Sequence, residues 1–181
     1  ARLCNVENVP FRYHTKSNAK SRILLPRDIV FEVSGGSKGQ PLGRTLYVSS
    51  ELLDAFGGDT VICASFCKRI HPNSKIYAAE ILYLSFLDAY VSGEIEQYQV
   101  QSTGISNYKW SEYIVKVSRY VPSISLQESF GNLVQPIFKQ MGVLGRKTAT
   151  LRRTRDLLLP KLISGEVDVS ELDIVVPEET R

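Results

Sequence analysis

The chain has few cysteines and no apolar run that could cross a membrane. Cys4, Cys63 and Cys67 are an odd number of cysteines in 181 residues, which does not fit a disulfide framework and favours a reducing compartment. No stretch of eighteen apolar residues occurs, so we expect no membrane span. The chain begins at Ala1 without a charged-then-apolar targeting pattern. We therefore expect a cytoplasmic protein whose first residue lies within a domain already under way.

The sequence also lacks the motifs of cofactor-binding and catalytic sites. It has no Gly-x-Gly-x-x-Gly element, and the loop from Gly35 to Gly43 lacks the Gly-Lys-Ser/Thr ending of a nucleotide-binding loop. The Asn/Asp-Pro-Pro-Tyr/Phe element of amino-methyltransferases is absent as well. His14 and His71 have no Ser or Cys nucleophile partner in a motif. We expect no cofactor and no catalytic activity.

Cys63, Cys67 and His71 follow one another at intervals of four residues, a spacing that metal ligands can also show. The surrounding residues from Val61 to Cys67 are mostly apolar and read as a buried strand. We therefore expect two small core residues rather than a metal site.

Residues 1 to 122 alternate short strand and helix patterns, which predicts an α+β (mixed α/β) domain. Strands are predicted at Asp28 to Val33, Thr45 to Val48, Thr60 to Phe66, Ile95 to Gln101 (an edge strand) and Tyr113 to Val121. A helix over Glu51 to Phe56 is predicted after a cap at Ser50, and a second, over Tyr77 to Val91, is opened by Asn73 or Ser74. Thr103 to Tyr108 reads as a polar turn.

Residues 123 to 165 form one long helical pattern, and residues 166 to 181 form an acidic tail. Ser125-Leu-Gln-Glu128 fits a capping box, and Pro160 and Gly165 close the pattern. Apolar positions recur at alternating spacings of four and three, which is typical of a coiled-coil seam. The seam positions are Phe130, Val134, Ile137, Met141, Leu144, Thr148, Leu151, Arg155, Leu158 and Leu162.

The helix should need a partner. Pro136 should kink it, and Gly142 and Gly145 should weaken it, so packing against another surface must stabilise it. Thr148 and Arg155 occupy seam positions that favour aliphatic side chains. Either they fix register and partner at a cost in stability, or Arg155 only extends its charged end to solvent.

The basic residues are clustered although the net charge is only +3. One group lies between Arg12 and Arg27, another comprises Lys68, Arg69, His71 and Lys75, and five bases lie from Arg146 to Arg155. This distribution favours a polyanionic partner, with a solvated basic face as the alternative.

The stretch Arg152-Arg-Thr-Arg-Asp-Leu-Leu-Leu-Pro-Lys-Leu162, followed by Ile163-Ser-Gly-Glu166, closely resembles the helix that closes each half of the specificity subunit of type I restriction-modification enzymes. Thr103-Gly-Ile-Ser-Asn107, the pair Pro122 and Gln127-Glu128, and Asp28-Ile-Val-Phe31 before a glycine-rich loop resemble that family too. The resemblance extends from about Asp28 to Val169.

This resemblance implies a non-catalytic DNA-recognition role. Such subunits hold two recognition domains apart on two antiparallel helices, and each domain reads one half of a split double-stranded DNA target. Two methyltransferase subunits dock on the assembly and supply S-adenosylmethionine and catalysis. The present chain has one domain and one helix, so we expect half of a subunit, a fragment, or a half-subunit that forms a homodimer through the helix.

Several residues are candidates for DNA contact. In the loop from Ser34 to Arg44, Ser37, Lys38, Gln40 and Arg44 carry donors and acceptors suited to guanine and adenine edges, although a plain connecting loop is the alternative. Phosphate contacts are expected from Lys68, Arg69 and Lys75. Asn107 and Lys109 belong to a polar-aromatic group that could read bases, whereas their neighbour Trp110 is more typical of a core anchor.

Two other functions remain open. The chain could be an interaction scaffold whose coiled coil is its entire function and whose basic face is incidental. It could also be part of a single-chain enzyme with a similar specificity module, which the missing methyltransferase motifs argue against.

Overall fold

The computed structural model describes residues 9–35, 40–102 and 105–173. The chain divides into two compact units, Ala1–Leu144 and Gly145–Arg181. Small antiparallel sheets and several helices build the first unit, and one long helix begins in it and continues into the second. The predicted fold class, an α+β domain followed by a long C-terminal helix, is confirmed.

The first sheet has three antiparallel strands in the order β3-β1-β4. They are β1 (Ile29–Glu32), β3 (Thr45–Tyr47) and β4 (Cys67–Ile70). On the central strand, Ile29 and Phe31 are fully buried on one face, and Val30 packs on the other face against a smaller cluster around Cys63. This double coverage explains why Ile29, Val30 and Phe31 are all apolar although they alternate between the two faces.

The second sheet continues directly from the first. Its strands are β2 (Ser34–Gly35), β5 (Gln99–Ser102) and β6 (Ile105–Tyr108), in the antiparallel order β2-β6-β5. Only Val33 separates β1 from β2, and its carbonyl accepts a 2.8 Å hydrogen bond from the amide of Tyr108. The predicted glycine-rich loop therefore starts at the end of β2, and its residues 36–39 lie outside the described residues.

Helices pack on both sides of the first sheet, with Leu53 of one joining Val30 in the smaller cluster and Phe86 of another joining Phe31 in the main core. They are α1 (Lys16–Lys20), α2 (Ser50–Asp54), α3 (Ala79–Val91), a 3₁₀ helix at Glu94–Tyr98 and α4 (Trp110–Lys116). Phe31 lies at the centre of the main core, where its ring contacts those of Phe86, Tyr108, Trp110 and Tyr113 at centroid distances of 5.3, 5.2, 5.0 and 5.9 Å. Trp110 is thus a core residue, as its type suggested.

The long helix, α5, spans Ile124–Ile163. Within the first unit its buried residues are Gln127, Gly131 and Val134, and the ring of Phe138 packs on those of Tyr47 and Tyr83. These spacings of four, three and four define one face of the helix that joins the domain core. In the second unit, the helical side chains from Leu151 onward are exposed, and Gly165 follows the helix with a φ of 72°.

Two predicted strands are wrong. Tyr113 to Val121 begins in helix α4, where Trp110, Tyr113 and Val117 share the core-facing side at helical spacing. Thr60 to Phe66 forms only one isolated bridge, between Ile62 and Ile23, and the chain then turns so that β4 starts at Cys67.

Thr103 to Tyr108 is not a turn throughout, because Ile105–Tyr108 is the central strand of the second sheet; residues 103–104 lie outside the described residues. The predicted edge strand is confirmed only in part. Glu94–Tyr98 is a 3₁₀ helix, and the edge strand is β5, which follows it.

Three predicted helix caps are shifted. Ser49 rather than Ser50 caps α2, and its Oγ accepts the amide of Leu52 at 3.1 Å. Helix α3 begins after Ala78, with no side-chain cap. Helix α5 begins at Ile124, so Ser125 lies inside the first turn and cannot form the predicted capping box. The helix also runs through Pro136 and past Pro160.

Cys63 and Cys67 belong to the smaller core cluster, with Cys63 buried. A hydrogen bond between the two thiols lowers the pKa of Cys63 and raises that of Cys67. Among the described residues, no group of three His, Cys, Asp or Glu side chains is arranged to hold a metal ion. None of the described helices has the length and apolar character that a bilayer crossing requires.

Candidate nucleic-acid interface

Four predicted DNA contacts gather around the short segment Val33–Gly35, here called the strand junction. Glu32, which precedes it, binds Arg44, and Arg44 binds Gln40. The amides of Val33 and Ser34 donate to the carbonyl of Phe66, which lies two residues before Lys68. Ser34 also pairs with Asn107 across β2 and β6. The fold thus places Gln40, Arg44, Lys68 and Asn107 near one junction, although the sequence places them up to 67 residues apart. In the register of β1 and β4, Lys68 lies opposite Phe31 and therefore on the core-facing side, whereas Asn107 faces away from that side.

Arg44 is engaged internally. Its Nε donates to Glu32 Oε2 at 2.7 Å, its Nη2 donates to Glu32 Oε1, and its Nη1 donates to Gln40 Oε1 at 3.3 Å. The hydrogen bond with Glu32 raises the pKa of the Arg44 guanidinium, and Glu32 itself is buried. An arginine offers five N–H donors, so a base contact by Arg44 would use those not already committed. Arg44 also fixes the side-chain oxygen of Gln40.

Asn107 presents an exposed amide on the central strand of the second sheet. Ser34 Oγ donates a 3.0 Å hydrogen bond to Asn107 Oδ1. Val100 lies directly opposite Asn107 on β5 and is 41% exposed. Ser34, Asn107 and Val100 therefore form one row across the exposed face of the sheet.

Lys68 and Arg69, the two neighbouring basic residues on β4, have different environments. Lys68 is exposed. Arg69 instead donates from Nε to Asp28 Oδ2 at 2.6 Å and is only 19% exposed. Asp28 is fully buried, and its other oxygen lies 2.6 Å from His71 Nδ1. The Arg69 side chain therefore holds β4 to the start of β1 by pairing with a buried carboxylate, whereas Lys68 is available to solvent.

The remaining candidates are dispersed. Lys75 is exposed in the loop before α3, and Lys109 is 51% exposed, with its Nζ 3.6 Å from Glu112. Ser37 and Lys38 lie outside the described residues. Sequence reasoning named Ser34 only as the start of the candidate loop and assigned no DNA contact to Phe66 or Glu32. These residues lie beside the candidate residues because strands that are distant in the sequence pair with each other. No local sequence pattern predicts that pairing.

A cleft of about 720 Å³ lies in the first unit between the start of α5, α2 and the N-terminal end of α3. Its floor is Glu80, which is 1% exposed. Arg27, Tyr47 and Gln135 all donate hydrogen bonds to the Glu80 carboxylate, at 3.1, 2.9 and 3.1 Å. This network ties α5 to α3 and β3. Its hydrogen bonds also offset the free-energy cost of burying the charged Glu80 carboxylate.

The seam positions differ in exposure along α5. In the first unit, Val134 is buried and Phe130 and Met141 are half-buried, whereas Ile137 and Leu144, seven residues apart, are 52% and 51% exposed. In the second unit, Leu151 and Leu158, again seven apart, are 70% and 44% exposed, and Leu162 is 39% exposed. Thr148 and Arg155 are exposed too, and the Arg155 guanidinium bonds the adjacent Asp156.

Comparison with known proteins yields one partial relative that names a function. The chain is 34% identical over 79 residues to the type I restriction enzyme MjaIX specificity subunit of Methanocaldococcus jannaschii. The match covers 41% of this chain and 17% of that subunit, so the chain matches only a minor part of the relative's length. No protein-family model matches the chain, and no solved structure matches it. The chain is thus similar, over part of its length, to a type I specificity subunit.

Proposed function

We propose that this chain is a non-catalytic, sequence-specific DNA-binding specificity subunit, or half of one, of a type I restriction-modification system. The observation that carries the proposal is the 34% identity with a type I specificity subunit. The α+β domain followed by a 40-residue helix fits the expected division into a recognition module and a spacer. The free thiols Cys63 and Cys67 suit the cytoplasm, where such a system would act.

The strand junction is the proposed DNA-facing surface. Gln40 and Asn107 present amides that can bond base edges, and Arg44 orients Gln40. Lys68, Lys75 and Lys109 are exposed ammonium groups suited to phosphates. Ser37 and Lys38, which lie outside the described residues, are proposed as DNA contacts from the sequence alone. Arg69 would contribute mainly by holding β4 in place, because its guanidinium pairs with Asp28.

The exposed apolar residues of α5 are the proposed surface for pairing with a second specificity half or a second copy. Ile137, Leu144, Leu151 and Leu158 repeat every seven residues and are each at least 44% exposed. Burying such side chains is worth on the order of 1.5–3 kcal/mol each, which favours an antiparallel coiled coil over leaving them in water. Methyltransferase subunits would dock on this assembly and carry out the catalysis.

Salt dependence of DNA binding tests the proposal. If Lys68 contacts a phosphate, Lys68→Ala should weaken binding about equally for all sequences and lower the log–log salt slope by about one. Lys161→Ala, which removes an exposed lysine of α5 outside the proposed interface, serves as the matched control and should leave the slope unchanged. Absence of any salt-dependent DNA binding by the dimer would contradict the proposal.

A second candidate is an interaction scaffold. The specific observation in its favour is that two predicted DNA-binding arginines, Arg44 and Arg69, are paired with buried carboxylates. A scaffold would self-associate through α5 without binding DNA at low salt. The same titration therefore separates the two functions.

A further inference from the structure

We propose that Asn107 reads an adenine of the recognised half-site in the major groove and that Ser34 is a positioning residue that fixes the Asn107 amide. This inference rests on the proposed function, since it requires the chain to bind DNA sequence-specifically. It goes further by naming a base and the atoms that select it.

The platform that carries Asn107 is rigid. Strand β6 is hydrogen-bonded on both sides, to β2 and to β5. The next residue, Tyr108, points to the opposite face, where its ring packs on Phe31 at a centroid distance of 5.2 Å. Because successive side chains of a strand alternate between faces, the burial of Tyr108 holds Asn107 on the exposed face.

The hydrogen bond from Ser34 holds the Asn107 side chain in place. Ser34 Oγ donates to Asn107 Oδ1 at 3.0 Å, which ties the side chain of Asn107 to β2. Oδ1 keeps a second acceptor direction, and Nδ2 keeps its two donor hydrogens. Adenine offers an N6–H donor beside an N7 acceptor in the major groove, which matches this pair of groups. Guanine offers two acceptors, O6 and N7, and an amide with one acceptor and one donor group cannot match both, so guanine would be rejected.

The same row can also contact the paired base. Val100 lies directly opposite Asn107 in the register of β5 and β6 and is 41% exposed. An apolar side chain beside an adenine-reading amide suits the methyl group of thymine. The exposed row Ser34–Asn107–Val100 thus matches one A·T pair in one orientation.

The control lies on the same sheet. Gln101 is an exposed amide on β5 that pairs with Ser106, one residue away from Asn107. Strand alternation places it on the opposite face. Gln101→Ala therefore removes a similar polar group without touching the proposed reader.

The experiment is selection of bound duplexes from a randomised pool by the dimer, followed by sequencing. Wild type should enrich adenine at one position, and Asn107→Ala should lose that preference, with binding to the selected sequence weakened on the order of 5- to 100-fold. Asn107→Asp should shift the preference at that position to cytosine, since a carboxylate accepts from cytosine N4. Ser34→Ala should weaken the preference for adenine there, because the Asn107 side chain loses its hydrogen bond, and Gln101→Ala should select as wild type does.

Fluorescence of the single Trp110, a core residue, checks that each variant is folded. If wild type enriches no sequence, the proposed function itself is wrong. If wild type enriches a sequence and folded Asn107→Ala or Asn107→Asp selects the same bases at every position, the proposed function stands and the assignment of Asn107 is wrong. An adenine preference as strong in folded Ser34→Ala as in wild type would remove the positioning role of Ser34.

Discussion

Replacement of Gln127 should destabilise the first unit more than replacement of any exposed glutamine of α5. Gln127 is 3% exposed, although it is polar and lies in a helix with mostly exposed side chains. Its Oε1 accepts the amide of Ala78 at 2.6 Å, and its Nε2 donates to the carbonyls of Ile76 and Pro122 at 3.0 and 2.8 Å. One side chain thus joins the start of α5, the entry to α3 and the segment before α5.

The expected cost follows from these three bonds. Each contributes about 0.5–1.5 kcal/mol net, so Gln127→Ala should lower the free energy of unfolding by about 2–4 kcal/mol. The total free energy of unfolding of a typical domain is only about 5–15 kcal/mol. Gln127→Glu should be similarly harmful, because its carboxylate keeps the bond from Ala78 but faces the carbonyls of Ile76 and Pro122 as a second acceptor.

Denaturant unfolding followed by Trp110 fluorescence measures this cost, because the single tryptophan lies in the core of that unit. Gln140→Ala is the matched control on the same helix, since Gln140 is exposed and should change stability by less than about 0.5 kcal/mol. If Gln127→Ala were as neutral as Gln140→Ala, the bonding of Gln127 would not anchor the helix to the domain.

Three further predictions follow from the helix, the buried tyrosines and the missing catalytic motifs. Leu144→Asp combined with Leu151→Asp should convert a dimer to a monomer in sedimentation; a wild type that is monomeric at tens of micromolar would instead indicate pairing with a different second half. Burial, with a smaller contribution from Glu80, raises the pKa of Tyr47 above its ordinary 10.0. Since the folded state holds this proton more tightly, stability should fall as pH rises above about 10, and less steeply in Tyr47→Phe; equal slopes in alkaline denaturation would contradict this. The purified chain alone should transfer no methyl group from S-adenosylmethionine to DNA, and detectable transfer would overturn the non-catalytic assignment.

The sequence predicted those parts of the fold that depend on local patterns. The strand at Asp28 to Val33 and the helices at Glu51 to Phe56 and Tyr77 to Val91 are present within a few residues, because apolar spacing and glycine stops specify them. Residues Trp110 to Lys116 were missed because a short helix with few core contacts has almost the same pattern as an alternating strand. Whether such a segment becomes a helix or a strand depends on whether another strand pairs with it in the folded chain.

The candidate site was predictable only as a set of residue types. Arg44 and Arg69 were selected as free cations, but Glu32 and Asp28 pair with them across distances of 12 and 41 residues. Likewise, the contact of Ser34 with Asn107 joins residues 73 positions apart. Such contacts depend on the register of strands far apart in the sequence, which local propensity does not encode. The position of Gln127 had a sequence signal, because Pro122 and Gln127-Glu128 resemble the specificity-subunit family, but its three hydrogen bonds had none.

The most direct test of the central claim is whether the wild-type chain chooses a DNA sequence. The chain, alone and mixed with the modification subunit of its own system, would be incubated with a randomised duplex pool at physiological salt, and the retained duplexes would be sequenced. A DNA-recognition subunit should enrich one defined half-site, with specific sites bound about 10³-fold or more tightly than random sequence. Retained duplexes with the composition of the input pool, from protein that is folded and paired, would contradict the proposed function.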